Sequence, residues 1–422
     1  MDLGVPSVGD LNAIAAEICG DVVLVDPALT GRGFKEACAR RGLRVISVYT
    51  LTSEFLAGVD PRYASGDALS LYVTTADAAR AALPGPPRAV VPTTEPSVLI
   101  ADQLGASLGL PGNPVATSVA RRDKIAMRRH ALARGLRVPP FVVTGPEGFE
   151  AAAERIGYPV ILKPATGAGS YGVTLLPDAA ALAKTIRTLN PVDLFGRPIQ
   201  HWSVEQYVAG RELAVNTFNV GGRHRVLDIW EYRQPSEARY DQPYWNLVQL
   251  ARDDPDWKRA AEFAVAVLDA FEVQIGPGHT EIKIDDAGPC LIEVASRLPG
   301  AHMVDHWAMH SAIRPYDDTL SVFLGEDPGL LERDLDFDSA LGICCLRNDD
   351  WPGRLRRIAG LDEVKRIPGV DEVYTMLAPG DHVPVTRDLG TLVAFVLVSG
   401  PDLRAVNDLF SLVRSTVRLE LM

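Results

Sequence analysis

The chain has 422 residues, of which 47% are hydrophobic and 23% are charged, and its formal net charge is −12. This length corresponds to about two or three domains with substantial cores, and the composition is ordinary for a soluble globular protein. The acidic balance argues against a nucleic-acid backbone as the main partner, because binding one needs a basic face. A small anion held in a local pocket is still compatible with it.

No apolar run is long enough to span a bilayer and no N-terminal signal peptide is recognised, so no membrane partner is expected. The five cysteines are odd in number, lack metal spacing and include the adjacent Cys344 and Cys345, which form a poor disulfide. These features favour a reducing cytoplasm.

The N-terminal part alternates short apolar runs with helical patterns. Residues 21–26, 43–49 and 89–91 are typical of buried strands, with helices predicted up to Gly42 and to about Gly109. Strands that alternate with helices predict a parallel, doubly wound sheet. The turn residues 111–114 then predict a domain boundary, which gives a first domain of residues 1–113.

A strongly basic helix is predicted over residues 115–135. Its basic residues include Arg121, Arg122, Lys124, Arg128, Arg129 and Arg134. For most of these arginines the simplest interpretation is a solvated face.

A glycine-rich stretch lies between two apolar runs, residues 159–163 and 173–176. Gly167, Gly169 and Gly172 form G-x-G-x-x-G, but β-branched and apolar residues follow instead of a helix, which excludes a dinucleotide fingerprint. Lys163 precedes the loop and no kinase or Walker A motif accompanies it. The pattern therefore predicts strand, loop and strand, with backbone N–H groups able to fold over an anion. The alternative is a tight hairpin that merely needs glycine.

The glycine hairpin belongs to a predicted strand–helix–hairpin–helix piece, residues 138–200, of the size of a small lid. Further strands are predicted at 202–207, 213–220 and 224–232, followed by a mobile loop at 233–242 and a helix at 255–271. This organisation predicts a second domain over residues 114–330.

Two glutamates are predicted to face each other across a hairpin. Polar and apolar residues alternate over 279–284 and over 291–295, with a turn between them. If the hairpin is symmetric about residue 287, Glu281 lies opposite Glu293. Opposed like charges destabilise a sheet, so a cation between them is favoured, and hard oxygen ligands suit Mg²⁺. The alternative is another register, with both glutamates solvated.

The same face continues to His279, Ala295 and Arg297, whose guanidinium could steady a phosphate or an oxyanion. Downstream, His302, His306 and His310 fall at i, i+4 and i+8 on a predicted helix. Zinc could be bound at that spacing, but no further ligand is indicated. A role of these histidines in lining a pocket or in packing is therefore favoured over a zinc site.

Taken together, the order and spacing of these residues resemble the ATP-grasp family. The resemblance covers roughly residues 10–330 and rests on Lys124, Lys163, the glycine loop, residues 205–212 and Glu293-x-x-x-Arg297. The sequence Gly276-Pro277-Gly278-His279-Thr280-Glu281 is most similar to the amino-acid ligase branch. The resemblance implies an ATP-grasp fold preceded by a Rossmann-like domain. It also implies a small α+β domain, residues 331–422, that often takes part in forming a homodimer.

The resemblance also implies roles for individual residues. Lys124 and Lys163 would hold the phosphates of ATP, and Arg297 would face the transferred phosphate and the acyl intermediate. The glycine loop would close over the phosphates with Thr166, Gly167, Gly169, Ser170, Tyr171 and Gly172. Adenine would be bound largely through backbone groups of Glu205, Gln206, Tyr207 and Val208, and ribose by Glu212. Glu281 and Glu293 would bind Mg²⁺ (or Mn²⁺), and the substrate would lie near His279, Arg297, Gly300 and His302.

One position departs from the family pattern, because Ala295 stands where an asparagine metal ligand is common. The implied reaction is ATP-dependent joining of a carboxylate to an amine through an acyl phosphate, with ADP and phosphate released. His279, His302 or His306 could deprotonate the amine. The alternatives are a ligase of the purine-pathway type and, in another class, a non-catalytic ATP-binding sensor or assembly module.

Overall fold

The computed structural model describes residues 21–234 and 244–422. Most of the loop predicted at 233–242 lies outside the described residues. Within the described ranges, no helix is long and apolar enough to cross a membrane.

The N-terminal unit is a parallel four-stranded sheet in the order β3-β2-β1-β4. Its elements are β1 (Val22–Val25), α1 (Arg32–Arg40), β2 (Val45–Tyr49), α2 (Ser53–Val59), β3 (Leu69–Tyr72), α3 (Ala76–Ala82), β4 (Ala89–Pro92) and α4 (Val98–Ser107). Every residue of β1, β2 and β4 is buried, as expected for parallel strands covered on both faces. The predicted doubly wound N-terminal sheet is confirmed.

Two short helices follow where one long basic helix was predicted. They are α5 (Val115–Ser118) and α6 (Lys124–Ala133). The side chain of Asp123 accepts a hydrogen bond from the amide of Ala126, and this cap starts α6 at Lys124. The cap therefore sets the position of a lysine that the resemblance assigns to ATP.

The lid has an antiparallel four-stranded sheet in the order β5-β8-β6-β7. Its elements are β5 (Phe141–Thr144), α7 (Phe149–Ile156), β6 (Val160–Pro164), β7 (Thr174–Leu176), α8 (Ala179–Arg187) and β8 (Trp202–Gln206). Phe149, Leu162 and Trp202 lie in its buried core. The predicted strand, loop and strand around the glycines is confirmed, and the loop leaves from the end of β6 at Pro164, one residue after Lys163.

Among the described residues, the largest sheet has eight strands in the order β13-β12-β9-β10-β11-β14-β18-β16. Its first part and the neighbouring helices are β9 (Arg211–Val220), β10 (Arg223–Arg233), β11 (Asn246–Gln249), α9 (Trp257–Ala270), β12 (Gly276–Asp285), β13 (Gly288–Ala295), α10 (Met303–His310) and α11 (Pro315–Phe323). The N-terminal unit packs on this sheet through one shared core, in which Val22 and Val91 join Phe218 and Leu227.

The C-terminal residues complete the same sheet. Their elements are β14 (Ala340–Leu346), β15 (Gly353–Ala359), α12 (Leu361–Val364), β16 (Val370–Thr375), β17 (His382–Val383), β18 (Ala394–Gly400), α13 (Leu403–Thr416) and β19 (Arg418–Leu421). β14 pairs with β11, with Asn246 opposite Cys344, while β17, β15 and β19 form a small sheet of their own. The predicted α+β composition of the C-terminal residues agrees with the structure, and their strands β14, β18 and β16 extend the large sheet beyond residue 330.

Candidate active site

Glu281 and Glu293 lie directly opposite each other on the antiparallel strands β12 and β13, as predicted. The symmetry about residue 287 holds for residues 279–281, and a bulge after Glu281 then moves the register by one, so that Ile282 faces Leu291. β9 pairs with the other side of β12 and fixes this strand within the sheet. Both glutamate side chains are largely buried, with 23% and 18% of their surface exposed. The alternative of two solvated glutamates is therefore wrong.

Positive charge and hydrogen-bond donors surround this pair. Nζ of Lys124 lies 3.0 Å from Oε2 of Glu293, and the hydroxyl of Tyr232 donates to Oε1 of Glu281 at 3.1 Å. Burial disfavours the charged form of Glu293, but Lys124, Arg297 and Lys163 outweigh it and lower its pKa to about 2. Glu293 is therefore a carboxylate at neutral pH.

The residues present fit a magnesium ion. Two buried carboxylates from adjacent strands supply hard oxygen ligands, and their mutual repulsion is relieved by a cation between them. Ala295 lies opposite His279 and is buried, so it offers no oxygen ligand where asparagine is common. Glu281 and Glu293 are the residues that would hold the ion.

A second buried cluster forms around Glu205. Its Oε2 lies 2.8 Å from Nζ of Lys163 and 3.0 Å from Nη2 of Arg128, and Oε1 accepts a hydrogen bond from Ser203 at 3.1 Å. Burial and the charge of Arg128 lower the pKa of Lys163 to about 8, against the opposing effect of Glu205. Burial disfavours the Glu205 carboxylate, but the two cations lower its pKa to about 2. The side chain of Glu205 thus orients Lys163, and only its backbone is left for a ligand.

The prediction of a solvated arginine face is wrong for three of the five arginines. Arg121 is fully buried, 3.1 Å from Asp102, and its guanidinium also donates to Ser296 at 2.8 Å. Arg128 is fully buried beside Glu205, and Arg122 is largely buried, donating to the carbonyl of Gly167 at 3.2 Å. Only Arg129 and Arg134 are exposed. The partners come from other elements of the fold, so helix periodicity gave no sign of them.

The glycine loop is held against two segments that the sequence did not connect with it. The amide of Leu389 donates to the carbonyl of Gly169 at 3.0 Å, and the hydroxyls of Ser170 and Tyr244 lie 3.1 Å apart. Gly169 and Gly172 have φ of 60° and 73°, in the left-handed region that favours glycine. Leu389 lies in the C-terminal part, where no chemistry was predicted. No sequence signal marked it.

The remaining predicted loop residues frame the same segment. The amide of Lys124 donates to the carbonyl of Ala165 at 2.8 Å, which joins the start of α6 to the start of the loop, next to the half-buried Thr166. Asn190 donates to the hydroxyl of Tyr171 at 2.9 Å. These contacts tie the loop to α6 on one side and to the lid on the other.

A cavity of about 140 Å³ lies between the lid and the large sheet. Its lining includes Lys163, Ser170, Glu205, Gln206, Tyr207, Val208, Glu212 and Lys283, together with Ile161, Val173, Leu175 and Ile292. The apolar side chains suit a flat heterocycle and the charged ones its polar ends. A smaller space next to it is lined by Ser170, Glu212 and Glu281, which connects the cavity with the carboxylate pair. A groove of about 720 Å³ beside Trp257 and Arg404 holds none of the predicted site residues.

Arg297 is fixed by the N-terminal unit. Its Nε lies 2.6 Å from Oε2 of Glu95, which follows β4 and begins a 3₁₀ turn capped by Thr94 and Ser97. Burial opposes the charge of Arg297, but Glu95, Glu293 and Glu281 raise its pKa, so the guanidinium stays charged. Glu95 is thus a site residue that sequence reasoning passed over, although its place after a parallel strand is where polar site residues collect.

The three histidines considered as bases have different surroundings. His279 donates from Nδ1 to the Oδ1 of Asn216 at 2.7 Å, and its Nε2 lies 3.4 Å from Glu281. His302 lies near Gly300, stacks on Tyr374 with 3.8 Å between ring centroids, and contacts Asp305. His306 is fully buried, so no substrate amine can reach it, and burial also lowers its pKa to about 3. The structure therefore removes His306 as a base.

Family comparisons agree with this geometry. Residues 156–305 match the model of the ATP-grasp domain, and residues 350–422 match that of the L-amino acid ligase C-terminal domain 2. An L-arginine-specific L-amino acid ligase of Bacillus subtilis is 24% identical over 339 residues, which are 80% of this chain and 81% of that one. Dapdiamide A synthase of Enterobacter agglomerans is 26% identical over 314 residues, 72% of each chain. The crystal structure of an L-amino acid ligase from Bacillus licheniformis is similar in fold, with a TM-score of 0.76 and 20% identity over 96% of this chain and 99% of that one.

Proposed function

We propose that the chain is a member of the ATP-grasp superfamily, in the L-amino acid ligase branch, and that it is a carbon–nitrogen ligase that joins amino acids with consumption of ATP. One substrate gives the carboxylate, and the other is an amino acid or another amine. The observation that carries the proposal is the opposition of Glu281 and Glu293 beside Lys124, with Arg297 held close by. That set of charges suits the transfer of a phosphoryl group.

The nucleotide would occupy the cavity between the lid and the large sheet. Its adenine would contact the backbone of residues 205–208, and its ribose the side chain of Glu212, which pairs with Lys283 at 3.2 Å. Lys163, which lines this cavity, and Lys124, whose ammonium lies 3.0 Å from Glu293, would hold the phosphates. The glycine loop, from Thr166 to Gly172, would cover them.

Magnesium, or manganese in its place, would be held by Glu281 and Glu293. When bound, such an ion neutralises charge on the phosphates of the nucleotide. The support for this assignment is the opposition of two largely buried carboxylates, whose mutual repulsion a cation between them would relieve.

The reaction forms one bond and breaks another in each of two steps. A carboxylate oxygen attacks the γ-phosphorus, the bond to the β-phosphate oxygen breaks, and ADP leaves. The amine nitrogen then attacks the acyl carbon, phosphate leaves, and the amine proton passes to a base, for which His279 and His302 are the candidates. Arg297 would stabilise the negative charge on the transferred phosphate. The closed glycine loop would keep water from the acyl phosphate.

The experiment is a panel of amino-acid pairs assayed for phosphate release with Mg²⁺ and ATP. We expect phosphate to rise sharply with a suitable pair, ADP to be the co-product, and mass spectrometry to find a product equal to both amino acids less one water. An oxygen-18 carboxylate should pass one label to phosphate. AMP with pyrophosphate would contradict the mechanism. Tight ATP binding without stimulation by any pair would instead favour the sensor.

We also propose that the protein is a homodimer and that it acts in the cytoplasm. The described cysteines that support a reducing compartment are Cys38, Cys290, Cys344 and Cys345, all buried and free. Sedimentation of the purified chain tests the dimer directly.

A further inference from the structure

A second cluster of metal-type ligands lies outside the proposed ATP site. His306 and His310 are one helical turn apart on α10, and Asp371 comes from β16. One ligand atom of each lies within 4.8 Å of the others. Oδ2 of Asp371 is 3.2 Å from Nε2 of His310 and 3.9 Å from Nδ1 of His306. Two donors on a tetrahedral zinc are about 3.4 Å apart, so only a small contraction is needed.

The ring of His306 presents an unpaired lone pair to this cluster. Its Nε2 lies 3.1 Å from the carbonyl of Gly342, which can only accept, so Nε2 carries the proton. Nδ1 is then a fully buried acceptor that has no hydrogen-bond partner within the described residues and lies 3.9 Å from Oδ2 of Asp371. An acceptor buried against an acceptor is unfavourable unless a cation lies between them.

The other two ligands, His310 and Asp371, are each held in position by a second hydrogen bond. Nδ1 of His310 lies 2.8 Å from Oδ1 of Asp338, and Oγ of Ser399 donates to Oδ1 of Asp371 at 2.8 Å. A histidine that donates from one nitrogen to a carboxylate and binds metal through the other is a recurring arrangement in metal sites. A protonated His310 would donate hydrogen bonds to both Asp338 and Asp371, but Nδ1 of His306 would still lack a donor.

We propose that His306 Nδ1, His310 Nε2 and the Asp371 carboxylate bind one divalent transition-metal ion, with Zn²⁺ as the best fit. Two imidazoles and one carboxylate suit zinc, and a water molecule completes four-coordination. The site joins α10 to β16, the strand at one edge of the large sheet. The N-cap of α10 is His302, which follows Arg297 closely in the chain. Bound zinc therefore fastens the substrate side of the site to the C-terminal strands.

The test uses the full chain, stripped with a chelator and then equilibrated with Zn²⁺ in excess Mg²⁺, so that the magnesium site is occupied. Metal retained after gel filtration is counted by mass spectrometry. We expect one zinc per chain in the wild type, and a visible absorption of tetrahedral Co²⁺ when cobalt replaces it. His310→Gln and Asp371→Asn should each lose the bound metal, and Asp338→Asn should weaken binding by about 10–100-fold.

Three controls make the outcome decisive. His382→Gln removes an exposed histidine of β17 and should keep one zinc, as should Glu281→Gln, which alters the proposed magnesium site. His310 and Asp371 are both partly exposed, with 13% and 17% of their side chains accessible, so both variants should fold. Circular dichroism checks that. Absence of stoichiometric zinc in the wild type, or its retention in His310→Gln, would overturn the proposal.

Discussion

The amide of Leu389 donates a hydrogen bond to the carbonyl of Gly169, 3.0 Å away, so the tip of the glycine loop rests on the C-terminal part of the chain. The two residues are 220 positions apart in the sequence and belong to different matched regions. The position of the loop therefore depends on a residue of the C-terminal part as well as on the lid.

This contact predicts a large effect of a single methyl group. A Cβ at Gly169 would lie 2.9 Å from Cβ of Leu389, and φ there is +60°, so Gly169→Ala should displace the loop. We expect kcat/KM for ligation to fall about tenfold or more, while ATP hydrolysis without product rises, because water reaches the acyl phosphate. Gly196→Ala is the matched control, since its φ is +77° and nothing lies near its Cβ. Equal losses in the two variants would refute the contact's role.

Glu293→Gln should remove an anionic ligand without unfolding the protein. We expect turnover to fall by orders of magnitude at modest Mg²⁺, because an amide is a poorer ligand than a carboxylate. The thermal midpoint should fall, because the cations that lower the pKa of Glu293 to about 2 outweigh its repulsion with Glu281, but the variant should still be folded at the assay temperature. Steady-state kinetics over a magnesium titration measures this, with the exposed Glu262→Gln as control. Near-normal turnover would be incompatible with the assignment.

The pH profile should report on Lys163. Burial and Arg128 lower its pKa from the ordinary value to about 8, so its ammonium is lost as pH rises through 8. We expect kcat/KM for ATP to fall above that pH, and Lys163→Arg to lose this limb because arginine stays charged. Titration of Lys163 does not itself destabilise the fold over this window. The unfolded chain binds the proton up to higher pH, so this group raises the free energy of unfolding over that window.

Glu205→Gln should destabilise the fold strongly, because it leaves Lys163 and Arg128 buried together without an anion. We expect the free energy of unfolding at pH 7 to fall by about 3–5 kcal/mol. The pKa of Glu205 is lowered from 4.5 to about 2, so its contribution is present above 4.5 and is lost as pH falls towards 2. Urea unfolding at several pH values measures both.

A double variant isolates the cause of that loss. Glu205→Gln combined with Lys163→Met removes one of the two stranded cations and should recover part of the stability. If the double variant is as unstable as the single one, the ion cluster is not the reason. If Glu205→Gln alone leaves the free energy of unfolding unchanged, the ion cluster does not stabilise the fold as described.

Features set by neighbours in sequence could be predicted. Alternation of polar and apolar residues around a short turn was enough to oppose Glu281 and Glu293, because strand periodicity and hairpin symmetry are local. The strand–loop–strand at the glycines followed in the same way. Even in this hairpin, the bulge after Glu281 was not predicted, because the amino-acid composition does not indicate where one strand contains an extra residue.

Features set by distant partners could not be predicted. Arg121 and Arg128 resemble solvated residues until Asp102 and Glu205 are brought against them by the fold. His306 and Asp371 are 65 residues apart, so the helical histidine stripe alone gave no third ligand. Glu95 reaches Arg297 across the junction of two domains. In each case the pairing depends on long-range tertiary contacts, which local sequence patterns do not reveal.

The continuity of the large sheet limits how the chain can be divided. A truncation at residue 330 would take β14 away from β11, and β11 would then present unpaired N–H and C=O groups along a short strand whose Leu247 and Val248 are buried in the intact chain. Such an edge recruits other chains, so the shortened protein should aggregate. Exchange of C-terminal parts between relatives would need to carry β11 with them, although β11 lies ahead of the carboxylate pair in the sequence.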